Sequence, residues 1–453
     1  MKPEEDAVPR GEGDVNLTPR RTAYVERRVD AAGRALLEAD ARLFFHQSLS
    51  TPCLDALAAS RGSRLVTTSG RELLDFHGNS VHQLGHGHPR VIAALEQALA
   101  ELPFSPRRFT NRFAVALAER LCAAMEGGPW KLLLAPAGAL AVSTAIKLAR
   151  MVTGRHKILS FWGSFHGASL DAISVGGEAL FRQGIGPLLP ATEHIPPPTR
   201  GRCRFGCTDE AHSNCLAYLE YVLEREGDFA ALIAEPMRWT TVEPPPPGYW
   251  RAVREICDRL GVLLIFDEIP SCLGRTGSLF VHRQFDTAPD ILVLGKGLGG
   301  GVFPLAAMLA RAAFDRFPET ALGHYTHEKS APGCAAALAA LEGIEAEDLC
   351  GRARRLGAAV LARLEEMRSR FPLVHEVRGI GLHLGVELRR PDGSPAVDAA
   401  EAVLYACLDR GLSFKVGGGN VLVLSPPLTI AEAELQEALA ILEEALEEVA
   451  ERG

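Results

Sequence analysis

The 453-residue chain contains no uninterrupted apolar run approaching the ~20 residues that a membrane helix needs, although 47% of its residues are apolar. A spanning segment is therefore not expected. Its first thirty residues, MKPEEDAVPRGEGDVNLTPRRTAYVERRVD, lack the apolar core of a secretory signal and read as an arm that is mobile or orders against a partner subunit. Positive charge is not in excess either, since 48 Lys and Arg stand against 56 Asp and Glu, a formal net charge of −8. That balance gives no broad attraction to nucleic acid or an anionic membrane, so an anionic substrate must meet a local basic pocket. Internal repeats and long low-complexity tracts are missing. The ten cysteines are scattered, unlike the dense framework of a small secreted domain, and read as reduced thiols in a cytoplasmic protein.

What the chain does have is length enough for two or three domains. Aliphatic runs at 131–135 (KLLLA), 157–162 (KILSFW), 230–235 (AALIAE), 262–267 (VLLIFD) and 290–294 (DILVL) lack strict alternation, as strands covered on both faces do. Helical spacing over 139–151, 214–226 and 248–260 separates them. The alternation predicts an α/β architecture, a mainly parallel central sheet flanked by helices, with ligands at the carboxyl ends of its strands. Beyond about residue 332 come longer helical patterns, a β-like block at 374–388 and a final helix from 431 to about 451. The expected division is an N-terminal arm and segment packing with the small domain (1–65), a large α/β domain (66–331) and a small α+β domain (332–453).

Two charged residues fall where strand ends present side chains to a pocket: Asp267 in FDEI and Lys296 in LGKG. Alone, Lys296 would be a snorkelling lysine at a strand end. Together, the pair suits pyridoxal phosphate, which needs an amine for a Schiff base and an anion against its ring nitrogen.

The motifs LLIFDEIPSCLGRTG (263–277), PDILVLGKGLGGG (289–301), SFHG (164–167) and VRGIGLHLGVEL (377–388) decide between these readings. Over about residues 75–428 the chain resembles the class III, ornithine-aminotransferase-like group of fold type I pyridoxal phosphate enzymes. The resemblance implies Lys296 as the Schiff-base lysine, Asp267 against the ring nitrogen, Ile269 on one ring face, and Phe165 on the other with His166 beside it. It further implies a phosphate cup from the backbone of Gly138 and Ala139 at a helix N-terminus. Thr326 matches a threonine that reaches the phosphate from the neighbouring subunit, so a homodimer with sites at its interface follows.

Departures from the family pattern bear on the reaction. The usual cup SGTEA reads AGALA at 137–141, a common glutamine is replaced by Pro270, and Val423 stands where many members carry an arginine for a substrate α-carboxylate. The surrounding VLVL run has no replacement cation, which argues against an ordinary amino-acid co-substrate. Glu235, implied as that arginine's resting partner, is then either free to hold the substrate's amine or hydroxyl, or a structural carboxylate satisfied by backbone amides or Arg238. Cations cluster in FSPRRFTN (Arg107, Arg108) and GHYTHEKS (His324, His327, Lys329); they suit a second anion, or belong to solvated loops or a dimer contact.

With DFHGNSVHQLGHGHP (75–89), whose His82 is a candidate for facing the substrate, these blocks are similar to the branch of the family that acts on (R)-1-hydroxy-2-aminoethylphosphonate. That narrower resemblance implies an ammonia-lyase with a small aminophosphonate substrate. An ω-aminotransferase, a phospholyase acting on an amino-alcohol phosphate and a catalytically silent dimer are the alternatives. Cys203, Cys207, His212 and Cys215 could form a zinc loop, but their C-x3-C spacing is no strong finger signature, so no metal is assigned and a packed loop of reduced thiols is expected.

Overall fold

The computed structural model describes residues 18–47, 53–199, 203–208 and 212–452. The chain opens with α1 (Pro19–Arg28), α2 (Ala31–Leu43), β1 (Leu57–Arg61), β2 (Arg64–Thr67) and β3 (Glu72–Asp75). A long middle stretch follows: α3 (Pro89–Glu101), α4 (Arg112–Ala123), β4 (Trp130–Ala135), α5 (Gly138–Thr153), β5 (Lys157–Phe161), α6 (Leu170–Val175), α7 (Ala179–Arg182) and β6 (Thr192–Ile195). It continues with α8 (Ser213–Glu226), β7 (Phe229–Ala234), α9 (Tyr249–Leu260), β8 (Leu263–Asp267), β9 (Ile291–Leu294), β10 (Ala306–Arg311) and α10 (Ala331–Ala346). The chain closes with α11 (Leu349–Arg370), β11 (Val374–Ile380), β12 (His383–Leu388), α12 (Val397–Arg410), β13 (Leu412–Ser413), β14 (Lys415–Gly417), β15 (Val421–Leu424) and α13 (Glu432–Arg452).

Two compact units result. One holds Pro89–Trp239 and Glu243–Cys350; the other holds the chain up to His88, Thr240–Val242 and the chain from Gly351. The first carries a seven-stranded sheet in the order β4-β10-β9-β8-β7-β5-β6. β10 runs antiparallel to both of its neighbours, while β9, β8, β7, β5 and β6 pair in parallel. Every residue of β7 and β9 is buried, which explains their unbroken aliphatic sequences. Burying each large aliphatic side chain there contributes about 1.5–3 kcal/mol. Two strands of this sheet were not visible in the sequence. β10 reads AAMLAR, an alanine-rich string that acquires strand character only by pairing between β4 and β9.

The other unit contains an antiparallel sheet, β11-β12-β15-β14, and a second sheet, β1-β2-β3-β13, whose last pair is parallel. Its core draws Tyr24 from α1, Leu364 from α11, Leu384 from β12, Leu404 from α12 and Leu439 from α13. Residues 19–28 form helix α1 rather than a loose arm: Arg27 and Arg28 reach Asp409 at 2.8 and 2.7 Å, which ties α1 to the end of α12. Residues 1–17 of the expected arm lie outside the described residues.

The unit boundaries differ from the sequence reading of 66 and 331. Residues 66–88 go with the smaller sheets because β3 pairs with β2 and β13. The unit holding the large sheet extends through Cys350 because α10 packs on α3 and α4. Among the described residues, no helix is long and apolar enough to cross a membrane.

Close approach fixes one glycine of α11. A Cβ at Gly357 would overlap the carbonyl of Gly381, the residue at φ +59° in the turn between β11 and β12. Gly357→Ala is expected to cost about 1–3 kcal/mol in denaturant unfolding, as overpacking does. An unchanged midpoint would show that α11 is free to move off that turn.

Candidate active site

The carboxyl ends of five strands supply the candidate residues of the larger unit. Gly138 follows β4, Phe165 and His166 follow β5, Glu235 follows β7, Asp267 ends β8, and Lys296 lies two residues beyond β9. A parallel arrangement brings these ends to one edge of the sheet.

Asp267 is 1% exposed, an expensive place for a carboxylate unless its oxygens are held. One oxygen lies 2.8 Å from His166 Nδ1 and the other accepts the Ile269 amide at 3.0 Å. The His166 ring is itself buried, and its Nε2 has no hydrogen-bond partner among the described residues. Lys296 sits at φ +46°, a strained conformation for a residue with a side chain. Burial pushes its amine below the ordinary lysine range, opposed by the charges of Asp267 and Glu235, and so enlarges the neutral, nucleophilic fraction.

Ile269 fills a cradle made by two glycines: a Cβ at Gly138 would stand 2.8 Å from its Cδ1, and one at Gly295 would stand 3.2 Å from its Cγ2. Gly167, at φ +126°, brings the SFHG turn against Ala139, where an added Cβ would meet the alanine Cβ at 2.7 Å. Phe165 packs against Phe181 with ring centroids 4.4 Å apart. The sixteen-residue helix α5 starts at Gly138 with no side-chain cap from Ala137, so its first amides are available to an anion. These residues fit pyridoxal 5'-phosphate: an amine, a fixed buried carboxylate, an apolar side chain in a glycine-lined cradle, an aromatic ring, and an uncapped helix N-terminus for the phosphate.

Of the two readings of Glu235, the structure has the carboxylate satisfied by backbone amides, not a free one. Its two oxygens accept the amides of Phe165 at 3.1 Å and Trp239 at 2.8 Å, so it fixes the turn that carries Phe165. Arg238 instead donates to the carbonyls of Trp162 and Gly163.

The two cation-bearing blocks lie side by side. Asn111 donates to the carbonyl of Lys329 at 3.0 Å, and Phe104 meets His327 edge-on with centroids 5.2 Å apart. Arg107, Arg108 and Thr326 are exposed and Lys329 is half-buried. Tyr325 ties this loop to α5 by donating to the carbonyl of Leu140 at 3.2 Å.

His82 and Val423 belong to the other unit. His82 is buried and its Nε2 donates to the carbonyl of Asp75 at 3.2 Å, beside the pair of His86 and Asp75 at 2.8 Å. Val423 on β15 is paired directly with Lys415 on β14, and residues so paired share a face. A basic side chain therefore does stand beside Val423, supplied by a neighbouring strand rather than by the VLVL run. Burial pushes the Lys415 amine down to about 7.

One residue near the site escaped the sequence reading. Glu178 is 4% exposed and neither of its oxygens has a hydrogen-bond partner among the described residues. Burial raises its pKa to about 7, with Arg238 pulling it down and Glu235 pushing it up. Its motif, VGGEALF, has no feature that signals burial.

The family pattern named Aminotransferase class-III matches residues 47–446. The chain belongs to the class III aminotransferase family. It is 49% identical to the (R)-1-hydroxy-2-aminoethylphosphonate ammonia-lyase of Vibrio splendidus, over 97% of this chain and 95% of that one. It is 34% identical to a leucine/methionine racemase of Thermococcus litoralis, over 92% and 96% of the two chains. Among solved structures, an (S)-enantioselective omega-transaminase from Thermomicrobium roseum superimposes with a TM-score of 0.85 at 30% identity, covering 93% of this chain and 99% of that one. Lyase, racemase and transaminase thus share the class III framework, and membership alone does not select the reaction.

Glu178 yields a pH-dependent prediction. An acid whose pKa is raised by folding leaves stability intact below its ordinary value of 4.5 and erodes it as the pH climbs to about 7. Glu178→Gln cannot ionise, so at pH 8 it should be more stable than the parent protein by on the order of 3 kcal/mol, with the gap closing near pH 4.5. Unfolding midpoints at the two pH values provide the check, and a gap independent of pH would remove the ionisation argument.

Proposed function

We propose that this chain is a pyridoxal phosphate-dependent ammonia-lyase that converts (R)-1-hydroxy-2-aminoethylphosphonate to phosphonoacetaldehyde and ammonia. The observation that carries the reading is the 49% identity to the Vibrio splendidus lyase across nearly the whole of both chains. Retention of Lys296 and Asp267 together with loss of the arginine at Val423 supports it.

Bound pyridoxal phosphate supplies an electron sink for the carbon that bears the substrate's nitrogen. Asp267, fixed by His166 and the Ile269 amide, would hold a proton on the cofactor's ring nitrogen. Lys296, with its enlarged neutral fraction, removes the proton from the nitrogen-bearing carbon. It then returns that proton to the hydroxyl leaving the adjacent carbon, so that water departs. Uptake of water by the dehydrated amine restores the balance and gives aldehyde and ammonia, without a keto acid. Glu235 keeps the Phe165 turn in place throughout.

The reading includes Gly138, Ala139 and Ile269 around the cofactor, a cytoplasmic homodimer in which each subunit's Thr326 serves the neighbouring phosphate, and Arg107, Arg108, Lys329 and His82 as candidates for the substrate. Nucleic acid and membranes have no part in it. A second reading, an ω-aminotransferase, draws on the basic side chain that Lys415 places beside Val423.

Cofactor-loaded protein given this substrate and no keto acid should release ammonia and aldehyde over many turnovers. Lys296→Ala should lower that rate by roughly 10²–10⁴-fold, the usual contribution of a general acid–base. Silence with the parent protein, and amino transfer only after pyruvate or 2-oxoglutarate is added with an amine donor, would establish the aminotransferase instead.

A further inference from the structure

The segment between β6 and α8 has no helix or strand among its described residues, yet it places four ligand-type side chains together. The thiols of Cys203, Cys207 and Cys215 and a ring nitrogen of His212 all lie within 4.8 Å of one another. Cys203 Sγ and Cys207 Sγ stand 3.1 and 3.5 Å from Cys215 Sγ, and His212 Nδ1 stands 3.6 Å from it. No disulfide joins them, since all ten cysteines are free. A tetrahedral zinc, with Zn–S of about 2.3 Å and Zn–N of about 2.0–2.1 Å, holds its ligand atoms roughly 3.5–3.8 Å apart. Small shifts bring the four to that spacing.

The backbone around them is shaped for the cluster. Gly206, at φ +64°, closes a turn in which its amide donates to the carbonyl of Cys203 at 3.1 Å, returning Cys207 toward Cys203. The amide of Phe205 donates to Cys203 Sγ at 3.3 Å. An amide aimed at sulfur favours the thiolate, the form that binds metal. His212 adopts φ +53°, uncommon for a residue with a side chain, at the start of α8, and Cys215 follows in the first turn. Asn214 donates to the carbonyl of Phe205 at 3.0 Å, and the Phe205 ring packs on Tyr218 at 4.7 Å. The two halves of the cluster are thus fastened to the same helix.

We propose that Cys203, Cys207, His212 and Cys215 bind one zinc ion that staples this loop to α8. Three sulfurs and one imidazole suit a borderline-soft divalent ion and exclude calcium or magnesium, which take oxygen ligands. Four protein ligands leave no open position, so the ion is structural and takes no part in the reaction. The same loop starts at Pro197 and Pro198, which line a pocket with Glu235 and Arg238. The zinc thereby holds in place the chain that walls that pocket.

The test uses full-length protein purified with reductant and without chelator, desalted, and assayed for metal by mass spectrometry. One zinc per chain is expected. Cys207→Ser should lower the content at least about tenfold, because losing a ligand costs more than losing an outer partner. His212→Cys keeps four ligands and should retain the zinc, which separates ligand loss from general disruption. Cobalt substitution should give the visible bands of a tetrahedral thiolate site in the parent and in His212→Cys. Parent protein that stays metal-free after incubation with zinc and reductant overturns the proposal. So does zinc content unchanged in Cys207→Ser, or a disulfide among these three cysteines in the freshly isolated protein.

Discussion

A carboxylate almost wholly withdrawn from water, Asp267 at the end of β8, sets the terms for everything around it. It is stable there only because both oxygens are held, one by His166 and one by the Ile269 amide. That requirement brings the turn after β5 against the end of β8. The same turn carries Phe165, and Glu235 anchors it from the end of β7. The site is thus a set of strand ends locked together by the need to satisfy buried charge, and the large parallel sheet is what brings those ends within reach of one another.

Much of this was legible in the residues. β4, β5, β7, β8 and β9 announce themselves as aliphatic runs because both of their faces are covered, and Asp267 and Lys296 stand out as charges abutting such runs. Other features depend on partners distant in sequence. β10 has the composition of a helix and becomes a strand by pairing. Lys415 is eight residues from Val423, and only the register of two strands makes them neighbours. Glu178 lies in an unremarkable stretch, and its burial comes from packing no local pattern encodes. The grouping of Cys203, Cys207, His212 and Cys215 likewise depends on a glycine turn and a left-handed histidine, which the C-x3-C spacing does not reveal.

The family comparison sharpens what the departures mean. A lyase, a racemase and a transaminase all superimpose on or align with this chain, so the framework does not by itself set the reaction. Val423 on β15 has the half-buried Lys415 of β14 as its direct partner across the strand pair. A lysine whose amine is pushed to about 7 is a conditional charge, present or absent within the ordinary working range, where an arginine is charged always.

Lys296 adds a mechanical consequence. Its left-handed backbone sits between an extended Gly295 and a tight turn through Gly299, so the hinge of the side chain is fixed while its four-carbon arm remains able to swing. The amine can therefore sweep only a short arc about a rigid pivot. One group can visit two neighbouring atoms in succession without the fold moving at all, and the reach of that arc, more than any change in the surrounding walls, limits how far apart those atoms can be.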